Sequence, residues 1–238
     1  MNKDIIKKIK SIIGNKNILL DEAEKNKYLL EWRGRYLGKA LAIIKPNSTS
    51  EISRIMRLFH EENIKVIPQG GNTGLVGGQI SFDENHIVLS MERLNNIREI
   101  NILNNSITAE SGVLLSIIHN ICDENNILFP LSLASEGSCT IGGNIATNAG
   151  GVAVLYYGNM RDLTLGLEVV LSDGTILDGL KSLKKDNTGY SLKDLFIGSE
   201  GTLGIVTAAT LKTFPNPDDK FTLLCNTESP LSAVKLMR

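Results

Sequence analysis

The stretch "PQGGNTGLVGG", Pro68 to Gly78, decides how the rest of the chain is read. It follows an apolar run, "IKVI", that reads as a buried strand, and it crowds Gly70, Gly71, Gly74, Gly77 and Gly78 into one short segment. Ordering glycine carries an entropic penalty, so this density marks backbone that must pass close to something else. A triphosphate loop would carry Lys-Ser or Lys-Thr after its last glycine, and a dinucleotide-binding turn would read Gly-x-Gly-x-x-Gly; both would open a helix. The continuation "VGGQISFD" does neither. What remains is a nest of backbone N–H groups around Asn72, Thr73, Gly74 and Leu75, suited to a diphosphate without any cationic side chain. No Lys or Arg occurs between Pro68 and Phe82. The alternative is a plain glycine-rich turn between strands.

Working outward, apolar periodicity marks helices near 3–13 and 21–30 and a strand in "ALAIIKP". Next comes a helix that Ser48, Thr49 or Ser50 can cap, with Ile52, Ile55, Met56 and Phe59 on its inner face. It returns the chain to "IKVIP", which makes a βαβ unit with a parallel pair and puts the glycine loop at a strand's carboxyl end, where open α/β sheets bind ligands. Beyond the loop, "HIVLSM", "IREINIL" and "SITAESGV" read as short strands, and an amphipathic helix runs from Leu114 to Glu124. "LEVVLSDGTILDG" is a hairpin turning at Asp173-Gly174, and "GIVTAATLKTFP" is another strand. The first half reads as βαβ and the second as strand-rich with antiparallel connections, with a division near residue 100 (1–100 and 101–238). In "TESPLSAVKLMR", Ser229 caps a helix with Pro230 at its first position. The sequence stops about two turns later, so the expectation is the front part of a longer protein.

Composition removes several function classes. Lys+Arg 25 against Asp+Glu 26 in 238 residues gives a formal net charge of -1, which provides no global field for nucleic acid. Cys122, Cys139 and Cys225 are scattered and odd in number, which argues against a disulfide framework or a cysteine zinc site and fits a reducing, cytoplasmic compartment. The basic "MNKDIIKKIKSIIGN" lacks the continuous apolar run of a signal peptide and the composition of a transit peptide. It reads as a helix with a core-facing stripe; peripheral association with an inner membrane is the other reading. His60, His86 and His119 fall outside every glycine cluster and read as structural. No metal site is evident.

Two further segments repeat the glycine device. "PLSLASEGSCTIGGNIATNAGG" intersperses Gly137, Gly142, Gly143, Gly150 and Gly151 with Ser135, Ser138, Thr140, Asn144, Thr147 and Asn148; "LFIGSEGTLGIVT" precedes the last long strand. Such segments expose backbone and short polar groups and have little to bury by themselves. Three of them, widely separated in the chain, point to an extended polar ligand touched from several sides.

Together and in this order, these three segments with "LGLEVVLSDGTILD" and "LKKDNTGYSLKD" resemble the flavin-binding half of the FAD-linked oxidases of the vanillyl-alcohol oxidase and p-cresol methylhydroxylase (PCMH) type. Within that superfamily they are most similar to the D-2-hydroxyacid dehydrogenases, among them D-2-hydroxyglutarate dehydrogenase, cytochrome-type D-lactate dehydrogenase and a component of glycolate oxidase. The resemblance covers roughly residues 35 to 215 and implies a PCMH-type FAD-binding fold of the α+β class, two α/β subdomains with FAD in the cleft between them. It implies that Pro68, Gly70, Gly71, Asn72, Thr73, Gly74 and Leu75 wrap the FAD diphosphate. Pro130, Leu133, Gly137, Ser138, Gly142, Gly143, Asn144, Thr147, Asn148 and Gly150 would line the isoalloxazine and ribityl side, and Glu200, Gly201, Ile205 and Val206 would approach from the last strand. Asn187, Thr188 or Tyr190 would lie near the cofactor.

Relatives with covalently attached flavin carry His where this sequence has Asn72, so the implied FAD is non-covalent. The implied activity moves hydride from Cα of a D-2-hydroxy acid such as D-lactate, glycolate or D-2-hydroxyglutarate to flavin N5, with electrons passing on to a quinone, cytochrome or electron-transfer flavoprotein. Substrate carboxylate and proton are handled in these relatives largely by a C-terminal cap domain, expected to be absent here, so no catalytic side chain is assigned. The alternatives are a flavin oxidase or reductase with another substrate, or an FAD-carrying subunit or remnant without catalysis of its own, associating with a partner subunit or as a homodimer.

Overall fold

The run "IVLS" carries apolar side chains to both of its faces, which requires cover on both sides, and the first layer is built around it. The structure, a computed structural model, describes residues 2–237. In chain order its first elements are α1 (Asn2–Ile13), β1 (Ile18–Leu19), α2 (Glu22–Leu29), β2 (Ala42–Ile44), α3 (Thr49–Glu61), β3 (Val66–Gln69) and β4 (Ile87–Ser90). Ile87 and Leu89 of β4 pack with Ile44 against Ile5, Ile9 and Ile13 of α1 and Ile52, Ile55 and Phe59 of α3. Val88 and Ile43 point the other way, onto Tyr28 and Leu29 of α2. Parallel strands sandwiched between helices are apolar on both sides for this reason. Ser48 is the N-cap of α3, its Oγ accepting from the Glu51 N–H at 3.2 Å.

The sheet order is β1-β2-β4-β3. Strands β2 and β3 are parallel within one sheet, but they are not partners: β4 lies between them and pairs in parallel with both. The expected βαβ unit therefore has a gap that the strand after the glycine loop fills. The loop leaves the carboxyl end of β3, at the sheet's edge.

The chain moves to a second sheet between Ser90 and Ile97. Its elements are β5 (Ile97–Asn101), β6 (Ser106–Glu110), α4 (Leu115–Glu124), β7 (Ile127–Leu128), α5 (Ile141–Ala146), α6 (Val154–Tyr157), α7 (Met160–Leu163), β8 (Thr164–Val170), β9 (Ile176–Gly179), α8 (Lys193–Phe196), β10 (Ile205–Lys212), β11 (Phe214–Pro215) and α9 (Pro230–Leu236). Five of these strands form an antiparallel sheet, order β5-β6-β10-β8-β9, and β7 pairs with β11 in a small ribbon that the sequence did not reveal. Hairpin β8–β9 turns at Asp173-Gly174, with Val170 opposite Ile176. One sheet face, with Ile107, Ala109, Leu167, Val169, Ala209 and Leu211, is covered by α4 and α5 through Leu115, Ile118, Ile141 and Ile145. Cys122 belongs to this core, and burial pushes its thiol up to about 11. The mixed helix and sheet content is that of the α+β class.

The two sheets are joined by α3. Val170 and Ile205 of the second sheet enter the core built on α3, and Ser53 Oγ donates to the Gly174 carbonyl at 2.6 Å. At its start, Thr49 Oγ1 donates to Glu168 Oε1 at 2.6 Å, which also accepts from Thr207 Oγ1 at 2.7 Å and lies 3.2 Å from Arg98 Nη2. Arg98 pairs in turn with Glu110 at 3.2 Å. Burial pushes the Glu168 carboxyl up, but the hydrogen bonds from Thr49, Thr207 and Arg98 outweigh it and hold the group below its ordinary 4.5. A carboxyl with a lower pKa folded than unfolded adds stability above the unfolded value, and that stability is lost as pH falls through the folded value. We expect the melting temperature to drop as pH is lowered below 4.5, with a shallower drop in Glu168→Gln. At about pH 7 the same variant loses about 1–3 kcal/mol, since hydrogen bonds to a charged group are replaced by neutral ones. Thermal melts across this pH range check both.

Candidate flavin site

The glycine loop is folded by its own amides. Gln69 Nε2 donates to the carbonyls of Tyr28 (2.8 Å) and Gln79 (3.0 Å), closing the loop at its base, and Gln79 Nε2 donates to the Gly74 carbonyl at 2.9 Å. Asn72 takes a left-handed backbone, φ 54°, and its Nδ2 donates to the Leu30 carbonyl at 2.9 Å. None of the backbone N–H groups from Gly71 through Gln79 donates to a protein acceptor among the described residues. Buried donors of this kind are nearly always paired; these are half-buried or exposed, and they are free to meet an acceptor placed in the cleft.

Two other walls complete the cleft. A Cβ on Gly71 would sit 1.8 Å from the Ser138 carbonyl oxygen, so the glycine loop and the segment entering α5 pack backbone against backbone. The third wall is the turn before β10. The Gly198 and Glu200 N–H groups donate to the carbonyls of Ile145 (3.0 Å) and Ala146 (2.8 Å), which fastens the turn to the end of α5. Gly201, φ 79°, leaves room for Pro68, whose Cγ would lie 2.6 Å from a Cβ there.

Between the walls lies a cleft of about 420 Å³. Of the residues the sequence singled out, Pro68, Gly70, Gly71, Asn72, Thr73, Gly74, Leu75, Leu133, Gly142, Gly143, Asn144, Thr147, Glu200, Gly201, Ile205 and Val206 line it. Pro130, Gly137, Ser138, Asn148 and Gly150 are not part of the lining. Ser138 supports the wall through its carbonyl, and Asn148 Oδ1 accepts from the Arg161 N–H at 3.0 Å. Asn187, Thr188 and Tyr190 also lie outside the lining, with Tyr190 95% exposed. The lining also includes Gln69, Val76, Gly78, Gln79, Met91, Ser135, Cys139, Thr140, Ala146, Ala149, Ser199 and Gly204. Most lie inside the glycine-rich segments read from the sequence, Gly78, Ser135 and Thr140 among the residues named there; Met91 enters only because β4 sits between β2 and β3.

The residues present fit a cofactor with a diphosphate and a polar heterocycle. The buried side-chain oxygens Gln69 Oε1, Asn72 Oδ1 and Thr140 Oγ1 have no protein partner among the described residues, and all three residues line the cleft. Among the described residues the lining contains no Lys or Arg, so its attraction for an anion comes from the N–H groups. Its titratable side chains are Glu200 and Cys139. The histidines are elsewhere: His119 Nε2 lies 2.8 Å from the Leu131 carbonyl and His86 Nδ1 3.3 Å from Ser81 Oγ.

Comparison with known proteins agrees with this geometry. The FAD binding domain family matches residues 40–179, and the chain belongs to that family, with FAD as its cofactor. It is 42% identical over 230 residues to a probable mitochondrial D-2-hydroxyglutarate dehydrogenase of Oryza sativa subsp. indica, covering 95% of this chain and 41% of that protein. It is 44% identical over 206 residues to a putative mitochondrial D-lactate dehydrogenase of Schizosaccharomyces pombe, covering 86% and 39%. The chain thus spans about two fifths of the length of the curated relatives it matches. Among solved structures, alkyldihydroxyacetonephosphate synthase superposes with a TM-score of 0.81 at 21% identity, over 91% of this chain and 41% of that one. p-Cresol methylhydroxylase superposes with a TM-score of 0.76 at 19% identity, over 91% and 44%. The fold is the PCMH-type FAD-binding fold.

The contact at Gly71 gives a direct test. Gly71→Ala forces the glycine loop away from Ser138, with an expected loss of about 1–3 kcal/mol of stability and of flavin retention. Gly137→Ala, with nothing within 4 Å of the added Cβ, leaves stability unchanged. Thermal melts and flavin content after purification distinguish the two.

Proposed function

We propose that this chain is the flavin-binding part of an FAD-dependent oxidoreductase that oxidises a D-2-hydroxy acid such as D-lactate, glycolate or D-2-hydroxyglutarate. The observation that carries the flavin part is the run of N–H groups from Gly71 to Gln79 that have no protein acceptor among the described residues, on a cleft that none of the described cationic side chains lines. The substrate class rests on the names of the relatives above.

Bound FAD supplies the hydride acceptor. In this reading the loop from Gly70 to Leu75 holds the diphosphate, and Leu133, Gly142, Gly143, Asn144 and Thr147 face the flavin. Glu200, Gly201, Ile205 and Val206 approach from the third wall, and Pro130, Gly137, Ser138, Asn148 and Gly150 act behind the lining. The cofactor is held without a covalent bond: Asn72 offers no nucleophile, and its amide nitrogen is engaged with the Leu30 carbonyl. The cleft lies between two subdomains that divide near residue 100, and the group that takes the hydroxyl proton comes from beyond this chain.

That last point supports a second reading. Abstracting a hydroxyl proton needs a positioned base, and among the described residues Glu200 is the one carboxylate on the cleft, with no His or Lys beside it. An FAD-carrying subunit that catalyses only with a partner subunit fits this equally well. The proposal includes an electron acceptor of the quinone, cytochrome or electron-transfer flavoprotein type. It also places the protein in the cytoplasm or at the periphery of an inner membrane; no described helix is long and apolar enough to cross one.

The test is an absorption spectrum of the purified chain, before and after adding FAD, followed by acid precipitation. Flavin bands that stay with the native protein and pass to the supernatant on precipitation are expected. Flavin in the pellet would contradict the non-covalent assignment, and a chain that stays colourless in excess FAD would overturn the flavin reading. Dye reduction by a panel of D-2-hydroxy acids then separates enzyme from carrier.

A further inference from the structure

We propose that Arg33, set in place by Glu31, is a positioning residue for the diphosphate loop, holding the Leu75–Val76 peptide from behind so that the Val76 N–H faces the cleft as a ligand for the diphosphate. The proposal rests on the flavin reading above and adds to it a side chain outside the cleft.

Glu31 is fully buried. Its carboxylate accepts from Arg33 Nε at 2.7 Å, from the Arg33 N–H at 3.1 Å and from the Arg35 N–H at 3.3 Å. Burial pushes its carboxyl up, yet these bonds and the Arg33 charge hold it below its ordinary value. The turn that carries both residues is closed by the Glu31 N–H on the Tyr36 carbonyl (2.9 Å) and the Gly34 N–H on the Glu31 carbonyl (2.7 Å). With Nε fixed, the planar guanidinium has little freedom left, and its Nη2 donates to the carbonyl of Leu75.

Leu75 and Val76 line the cleft and Arg33 does not, so the guanidinium approaches from the far side. No peptide among the described residues is cis, and in a trans peptide C=O and N–H point in opposite directions. A Leu75 carbonyl turned to Arg33 therefore turns the Val76 N–H away from it, to the cleft, where it has no protein acceptor among the described residues. The charge-assisted bond also polarises that peptide in the sense that strengthens its donor. Asn72 Nδ2 holds the start of the loop to the Leu30 carbonyl of the same turn, so one rigid turn sets the loop at two points. Glu31 offsets the Arg33 charge, so the loop gains orientation without a net cation.

The experiment compares wild type, Arg33→Met, Arg33→Lys and Glu31→Gln. FAD affinity is followed by quenching of flavin fluorescence, and residue-resolved amide exchange is measured at saturating FAD. Loss of a charge-assisted hydrogen bond predicts FAD binding weakened about tenfold to a hundredfold in Arg33→Met, with partial recovery in Arg33→Lys and an intermediate loss in Glu31→Gln. Exchange protection of the Val76 amide, present in FAD-loaded wild type, falls in Arg33→Met while the strands keep theirs, which a general loss of stability would not produce. Equal FAD affinity in wild type and Arg33→Met, or weaker binding with Val76 protection intact, overturns this proposal and leaves the flavin reading standing. Wild type that binds no FAD overturns both. Should Arg33→Met fail to fold, Arg33→Lys and Glu31→Gln decide on the same two readouts.

Discussion

A chain whose backbone donors from Gly71 to Gln79 meet no protein acceptor among the described residues cannot rely on ordinary secondary structure to hold that segment. Helices and sheets are stable because they satisfy N–H and C=O together; a loop that keeps its donors for a ligand must be shaped by everything else around it. Much of the surrounding architecture can be traced to that requirement. Gln69 and Gln79 brace the loop internally, the Leu30–Arg33 turn braces it from outside, and Gly71 is pressed against the Ser138 carbonyl from the other half of the chain.

The contact at Gly71 makes the site a property of both sheets. Neither the parallel layer nor the antiparallel layer contains a closed cleft, so their relative position has to be fixed independently of the ligand. Helix α3 does this: its apolar face completes one core while accommodating Val170 and Ile205 of the other sheet, and its first turn enters the Thr49, Glu168, Arg98 and Glu110 cluster. Directional bonds to buried charge fix register in a way that apolar contact alone does not. The cleft dimensions thus depend on residues far from it in sequence.

Much of this could be read from the residues. The 3.6 period of Ile52, Ile55, Met56 and Phe59, the Ser48 cap and the Asp173-Gly174 turn are local signals, and local signals survive in a single sequence. The order of the first sheet could not be read, because nothing in "HIVLSM" states that it inserts between strands that precede it; strand pairing is a long-range choice. The same limit hid Met91 from the site. The glycine clusters marked the walls correctly as regions, but within "PLSLASEGSCTIGGNIATNAGG" the 3.6-residue turn of α5 decides which residues face the cleft. That turn brings Thr140, Asn144 and Thr147 to the cleft, and the left-handed backbone of Asn148 beyond the helix, φ 47°, leaves its side chain on the Arg161 N–H. Arg33 was invisible for a different reason: a single arginine in a turn has no signature until its buried partner and the carbonyl it reaches are seen.

The absence of Lys and Arg from the lining has a bearing on how a cofactor reaches the site. Point charges extend their influence over a Debye length, about 8 Å at physiological salt, and so collect anions from solution before contact. Peptide dipoles fall away much faster with distance. The lining itself therefore presents a diphosphate with no point charge, and recognition there comes when its oxygens meet the N–H groups in place. Within the cleft, discrimination is a matter of shape and of the placing of peptide dipoles, which a free phosphate lacking the rest of the cofactor matches only in part.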